Sequence, residues 1–352
     1  MIADYMRSHI LSLESYTSAR DEFSGYAEVY LDANENWKDF SLSGKNRYPD
    51  PHASELRRKI EEVMGFRVEN TVLGNGSDEL IDMLIRIFAE PGKDCVLIER
   101  PTYGEYKVFA EINGVEVINV PLTDSLELDV DAIKSSIDEK SPKIVFICSP
   151  NNPTGRSYDI DVIREIADYN PSLTVIDEAY ADFDPSFVSA YTLLKDNERV
   201  AVLRTFSKYW ALAASRIGIL IASPVVIKAV NKIKAPYNVS LSAQRDGLEA
   251  LGNADGRKAV LEEILGEKKR LEGEFGRFSF VEKIYRSDAN FLLIKVSDAD
   301  ALYLYLMKKG IIVRNRSREP LLSNTLRITI GSKEENDKLL EAFDEREKST
   351  VS

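Results

Sequence analysis

The chain of 352 residues is 44% hydrophobic and 30% charged, enough apolar material, at roughly 150 residues per domain, for about two domains with large cores. Disorder, collagen-like repeats and small disulfide scaffolds are excluded by that composition. A net charge of -12, from 58 acids against 46 lysines and arginines, argues against broad attraction to nucleic acid or anionic membrane, although a few arginines in one cleft can reverse the field locally.

The first twenty residues, MIADYMRSHILSLESYTSAR, carry polar groups every few positions and lack the continuous apolar core of a signal peptide. No run approaches the ~18 apolar residues of a membrane span, so a cytoplasmic, reducing setting is expected. Residues 1–45, with LDANEN and LSGKNRYPDP, read as an irregular arm that lies on something else, such as another subunit. From ELRRKIEEVMG onward, helical and strand patterns alternate. An amphipathic helix begins at Asp78-Glu79-Leu80-Ile81 and is stopped by Pro91-Gly92. Short apolar runs follow: CVLIE, VEVINV, KIVFICS, LTVID, VAVLR and IGILIA, with helical stretches such as IDVIREIADY between several of them.

That alternation predicts an α/β fold, with a mostly parallel central sheet flanked by helices in a large domain over 46–240. After APYNVS the pattern changes. A long charged helix lies within 248–275, and its 257–276 stretch is expected to be a solvated face. NFLLIKV, a helix at 299–309, IIVR, LRITI and a last helix at 333–347 complete a smaller α+β domain over 241–352.

Cys95 and Cys148 lie in apolar runs and read as buried small hydrophobes; two cysteines cannot build a disulfide framework or a four-thiolate site. The two histidines, His9 and His52, exclude a His-rich metal centre, and His52 reads as a solvated helix-entry residue. No metal is expected.

In open parallel sheets ligands bind beyond the carboxyl ends of the strands, and the unusual residues sit there. Ser149-Pro150-Asn151-Asn152-Pro153-Thr154-Gly155 follows KIVFIC, Asp177-Glu178-Ala179-Tyr180 ends LTVI, and Thr205-Phe206-Ser207-Lys208 follows VAVLR. An amine such as Lys208 is most useful attacking a carbonyl. Arg216, eight positions on, and partial desolvation both favour a lowered lysine pKa. A buried carboxylate such as Asp177 needs a cationic partner, and a pyridinium nitrogen would serve. Ser207, Arg216 and the N–H groups of Gly76-Ser77-Asp78 supply phosphate donors, and Tyr103 a stacking ring. Together these describe a pyridoxal phosphate site.

The set GSDE, PTYGEY, SPNNPTG, DEAY, TFSK and the downstream Arg216 resembles the fold-type I, class II aminotransferases, and most closely the histidinol-phosphate aminotransferases. The likeness runs from SYTSAR and LDANEN through NRYPDP to LRITIG. It implies Lys208 as the internal aldimine lysine and proton shuttle, with a pyridoxamine phosphate intermediate. It implies Asp177 paired with the pyridine N–H, Asn152 and Tyr180 bonded to the phenolic oxygen, and Tyr103 stacked on the ring. Ser77, Asp78, Ser207 and Arg216 would form the phosphate cup, joined by Tyr48 of a neighbouring subunit in a homodimer with a shared active site. Arg327 and Arg314 would grip the substrate anions, and Tyr16 and Asn34 would help enclose them. The reaction so implied moves the amino group of histidinol phosphate to 2-oxoglutarate, in histidine synthesis. Aromatic transamination and phosphothreonine decarboxylation on the same fold are the alternatives. A non-catalytic binding module is disfavoured by Lys208 and by the charge. Ala214-Ser215, Ser77 and Trp37 depart from the family pattern, and Trp37 is expected to bear on the substrate mouth.

Each residue also has a plainer reading. Lys208 could be a surface cation, Asp177 a helix cap, Asn152-Pro153 a turn, Tyr103 core packing, and the two arginines surface ion pairs.

Overall fold

A computed structural model describes residues 1–16, 20 and 27–351. Seven strands, β1 (Thr71–Asn75), β2 (Cys95–Arg100), β3 (Glu116–Pro121), β4 (Ile144–Cys148), β5 (Leu173–Asp177), β6 (Val200–Thr205) and β7 (Ile217–Ala222), form one sheet in the order β1-β7-β6-β5-β4-β2-β3. Every pair from β6 to β3 is parallel, and β7 runs antiparallel to both β6 and β1. The central strands IVFIC and LTVID are buried at every position, as strands covered on both faces must be. Helices supply the covers. Gly76–Phe88 buries Leu80, Ile81, Leu84, Ile85 and Phe88, the stripe expected at helical period, and Ile160–Tyr169 buries Ile163, Ile166 and Ala167. The Asp159 side chain caps the second of these, accepting from the N–H of Asp161.

The antiparallel strand decides where the site forms. Because β7 runs against its neighbours, its first residue, Ile217, lies opposite Asn75 at the end of β1, and Gly218 lies opposite Thr205 at the end of β6. Arg216 therefore reaches the rim at which β4, β5, β6 and β1 all end.

A second, wholly antiparallel sheet holds β8 (Val281–Ile284), β9 (Phe291–Val296), β10 (Arg314–Asn315) and β11 (Thr325–Thr329), in the order β10-β11-β9-β8. Leu292, Ile294, Leu326 and Ile328 pack with Leu271, Phe275 and Phe343 into its core. This corrects one expectation. The charged helix, Ala254–Phe275, is not only a solvated face, because Leu271 and Phe275 are wholly buried; each such side chain is worth about 1.5–3 kcal/mol. The helical stretch also divides at Asn253, after Gly252, into Leu241–Gly252 and Ala254–Phe275, both residues being weak helix formers. In IIVR only Arg314 pairs as strand.

The second sheet rests on the rim of the first. The N–H of Asp288 donates to Gly155 O at 2.7 Å, the N–H of Ser157 to the Asp288 carboxylate at 3.0 Å, and Arg100 pairs with Glu319 at 2.8 Å. Among the described residues no helix is long and apolar enough to cross a membrane. Cys95 and Cys148 are free and buried, and His52 is exposed just before the helix Ser54–Met64.

Candidate active site

The rim opens into a cleft of about 330 Å³ lined by Ser77, Asp78, Tyr103, Asn152, Asp177, Tyr180, Ser207, Lys208, Arg216, Arg314 and Arg327. Eleven residues singled out from sequence, spread over some 250 positions, thus share one cavity. The parallel ladder explains five of them, Asn152, Asp177, Tyr180, Ser207 and Lys208: Cys148 lies opposite Asp177, and Asp177 opposite Leu203, so β4, β5 and β6 end side by side.

Asp177 is buried. Its Oδ2 accepts from the Tyr106 hydroxyl at 2.6 Å and its Oδ1 from the Ala179 N–H at 3.1 Å. Burial pushes its carboxyl above the usual range, against the pull of these two donors. Among the described residues no cation lies within ion-pair distance of it. Such a carboxylate, aimed into an open cleft, fits a ligand that brings a positive ring nitrogen. Glu178, next in sequence, does different work: it is fully buried, ion-paired with Arg204 at 3.1 Å, and accepts from Ser189 Oγ and the Ala190 N–H. It pins the turn that carries Tyr180.

The opposite end is an anion cradle. Gly76 opens its helix at φ +80°, and its N–H donates to Arg216 O at 2.9 Å. A Cβ on Gly76 would come within 2.4 Å of the Arg216 guanidinium, and one on Gly218 within 2.4 Å of the Ser77 nitrogen. The closeness leaves the first N–H groups of the helix and the guanidinium facing one spot, as a phosphate requires. Arg216 itself sits at φ +53°, uncommon for any residue but glycine and held by the surrounding ladder. It donates to Ser207 Oγ at 3.3 Å and pairs with Asp78 at 2.9 Å; Asp78 in turn accepts from the Tyr103 hydroxyl at 3.0 Å.

Between these ends stands Lys208, its Nζ 5.6 Å from the Tyr180 ring centroid. Burial, and then the nearby Arg327 charge, hold its ammonium below the ordinary lysine value. Arg327 donates to Asn152 Oδ1 and lies 5.2 Å over the Phe291 ring; Asn152 Nδ2 is 3.5 Å from the Tyr180 hydroxyl. The fit to pyridoxal phosphate rests on this pairing of ends: a buried acid with no cationic partner among the described residues at one, a backbone cradle at the other, an amine between.

Three expected residues are elsewhere. Tyr48 is 52% exposed and stacks on Tyr237 with centroids 4.5 Å apart; with Asn34 it lines a separate cleft of about 440 Å³. Tyr16 is 76% exposed and Trp37 77%. Part of SYTSAR, residues 17–19, falls outside the described residues. Two residues went unassigned in sequence. Tyr106 was visible within PTYGEY, but its bond to Asp177 spans 71 positions and leaves no local trace. Arg316 also lines the cleft, and the Arg314-x-Arg316 alternation was the available signal.

A model of the family described as aminotransferase class I and II matches residues 26–343. The histidinol-phosphate aminotransferase of Christiangramia forsetii is 47% identical over 97% of this chain and 97% of its own length, and that of Parabacteroides distasonis 45% identical over 97% and 98%. Among solved structures, a histidinol-phosphate aminotransferase from Sinorhizobium meliloti in complex with pyridoxal-5'-phosphate superposes with a TM-score of 0.80 at 25% identity, covering 87% of this chain and 84% of that one.

Proposed function

The chain belongs to the class I and II aminotransferases, and from that we propose how its cleft works: it exchanges an amino group between L-histidinol phosphate and 2-oxoglutarate, giving imidazole acetol phosphate and glutamate, reversibly, in histidine biosynthesis. It is a transferase that uses pyridoxal 5'-phosphate, and the kinship along nearly the whole chain supports that substrate pair. The observation that carries the reading is a single juxtaposition within the cleft: Lys208 and the buried acid Asp177 on the strand rim share it with Arg314 and Arg327 of the second sheet.

Pyridoxal phosphate, when bound, supplies an electron sink and carries the amino group between two half-reactions. The protein's part is orientation and proton transfer. Asp177 would pair with the ring nitrogen, Tyr103 stack on the ring, and Asn152 and Tyr180 bond its phenolic oxygen. Ser77, Asp78, Ser207 and Arg216 would hold the phosphate. Arg327 and Arg314 would hold the substrate's anionic group, fixing the carbon that bears the amine beneath Lys208. Lys208 would take the proton from that carbon and return one to the keto acid in the second half-reaction.

Tyr48 and Asn34 line a different cavity from the one that holds Lys208, which supports a homodimer in which Tyr48, Asn34 and Tyr16 of each subunit complete the other's site. We divide the chain into an arm over 1–45, a large domain over 46–240 and a small domain over 241–352. A cytoplasmic setting belongs to the same reading, supported by two free buried cysteines.

The test is a half-reaction titration that follows the cofactor's visible absorbance as histidinol phosphate, histidinol or phenylalanine is added. Conversion by the phosphate ester alone at low concentration is expected. Equal conversion by phenylalanine would move the assignment to an aromatic transaminase.

A further inference from the structure

Three arginines on one ribbon face the cleft, and only two have been given work. Arg314 of β10 lies directly opposite Arg327 of β11. The ladder continues past the strand, the Arg316 N–H donating to Thr325 O at 2.9 Å, so Arg316 lies two residues beyond Arg314 on the same face. All three line the cavity that holds Lys208. Arg216, the fourth arginine there, is already paired with Asp78.

The other three lack such partners. Among the described residues no carboxylate stands within ion-pair distance of Arg314, Arg316 or Arg327. Glu319, close to Arg316 in sequence, is taken up by Arg100 at 2.8 Å. Arg316 is only partly exposed, and its Nε is shut off from solvent without a hydrogen-bond partner. Burial, then the charges of Arg327 and Arg314, push its guanidinium down to about 10. Such a cluster is a cation in want of an anion, and one larger than a carboxylate can satisfy. A carboxylate offers two oxygens and one charge, matching a single guanidinium fork. A phosphomonoester offers three terminal oxygens and a charge of about -1.5 to -2 near neutral pH.

Resting on the substrate reading above, we infer that Arg316 is a third anion-binding arginine of the cleft, and that it selects a phosphomonoester dianion over the carboxylate substrates that share the site. Arg314 and Arg327 suffice for a carboxylate. The phosphate ester alone draws on all three.

The experiment uses purified holoenzyme carrying no substitution, Arg316→Gln or Arg316→Lys, with half-reaction rates measured for histidinol phosphate, histidinol and glutamate. In Arg316→Gln the value of kcat/KM for the phosphate ester should fall about tenfold to a hundredfold, mostly through KM, as for a lost charge-assisted hydrogen bond. Histidinol and glutamate should stay within about twofold, and Arg316→Lys should regain part of the loss. In the parent enzyme, preference for the ester over histidinol should rise with pH through the phosphate's second ionisation near pH ~6, and the variant should flatten that rise. An unchanged ester rate in Arg316→Gln, or an equal fall for all three substrates, would overturn the inference while leaving the substrate reading in place. A parent enzyme that treats histidinol and its phosphate alike would overturn both.

Discussion

The guanidinium of Arg327 donates to Oδ1 of Asn152, so the arginine of the second sheet is held by the amide that follows β4. The same amide's nitrogen lies 3.5 Å from the Tyr180 hydroxyl. One side chain thereby ties the arginine of the second sheet to the Tyr180 side of the cleft.

Substitution at that link should be graded by charge. In Asn152→Asp a carboxylate would pair with Arg327 and compete with every substrate anion, raising KM for glutamate and for histidinol phosphate by about tenfold or more. Asn152→Ala, which only frees the arginine, should raise KM less. Steady-state kinetics decides; a milder defect in the aspartate variant would refute the competition.

Tyr106→Phe removes the hydroxyl that donates to Asp177 Oδ2 at 2.6 Å. Burial already raises that carboxyl, and loss of the donor raises it further, so Asp177 holds its negative charge less well. We expect kcat to fall by about tenfold and stability by about 1–3 kcal/mol. Turnover and denaturant unfolding of the holoenzyme measure the two. Parent-like kcat in this variant would show that the hydroxyl is structural only.

Glu99 offers a pH test. It is 1% exposed, accepts from the Cys148 N–H at 2.8 Å and the Thr102 hydroxyl at 3.0 Å, and its other oxygen has no partner among the described residues. Burial pushes it from an ordinary 4.5 up to about 7. A folded value above the unfolded one means that its contribution to stability is complete below pH ~4.5 and lost as pH rises through ~7, on the order of 3 kcal/mol. Glu99→Gln should therefore be more stable than the parent at pH 8 and close to it at pH 5, by urea unfolding. Equal stability differences at the two pH values would refute it.

The proposed shared site predicts complementation. Lys208→Ala and Tyr48→Ala homodimers should each be strongly impaired, the first by about 100- to 10,000-fold. Co-refolding the two should restore activity, because each hybrid contains one site with neither defect. No recovery, with mixed dimers verified by mass, would place Tyr48 outside the partner's site.

Much of this architecture was legible because it is periodic. IVFIC, LTVID and IDVIREIADY announce their elements through burial patterns that local sequence must obey, and the strand-end rule then gathered Asn152, Asp177 and Lys208. What could not be read depends on distance along the chain. Tyr106 meets Asp177 across the sheet, and Leu271 and Phe275 are buried only because β9, β11 and the last helix close over them. A charge-rich helix gives little warning of two wholly buried positions. Tyr48 was placed by resemblance alone; in one chain it lines a different cavity from Lys208.

The reversed strand β7 sets an order of assembly. Asp177 ends β5 and Lys208 follows β6, strands that are neighbours in sequence and in the sheet, whereas the cradle needs Gly74 to meet Gly218, 144 positions downstream. Closing so long a loop is the slow, entropically costly event in folding. The Gly76–Arg216 end of the cleft then forms after the rim that carries Asp177, and a nascent chain can complete it only once residue 218 has been made and has found β1. Pulsed hydrogen exchange during refolding should find the amides of Ser77 and Asp78 protected later than those of β4 and β5.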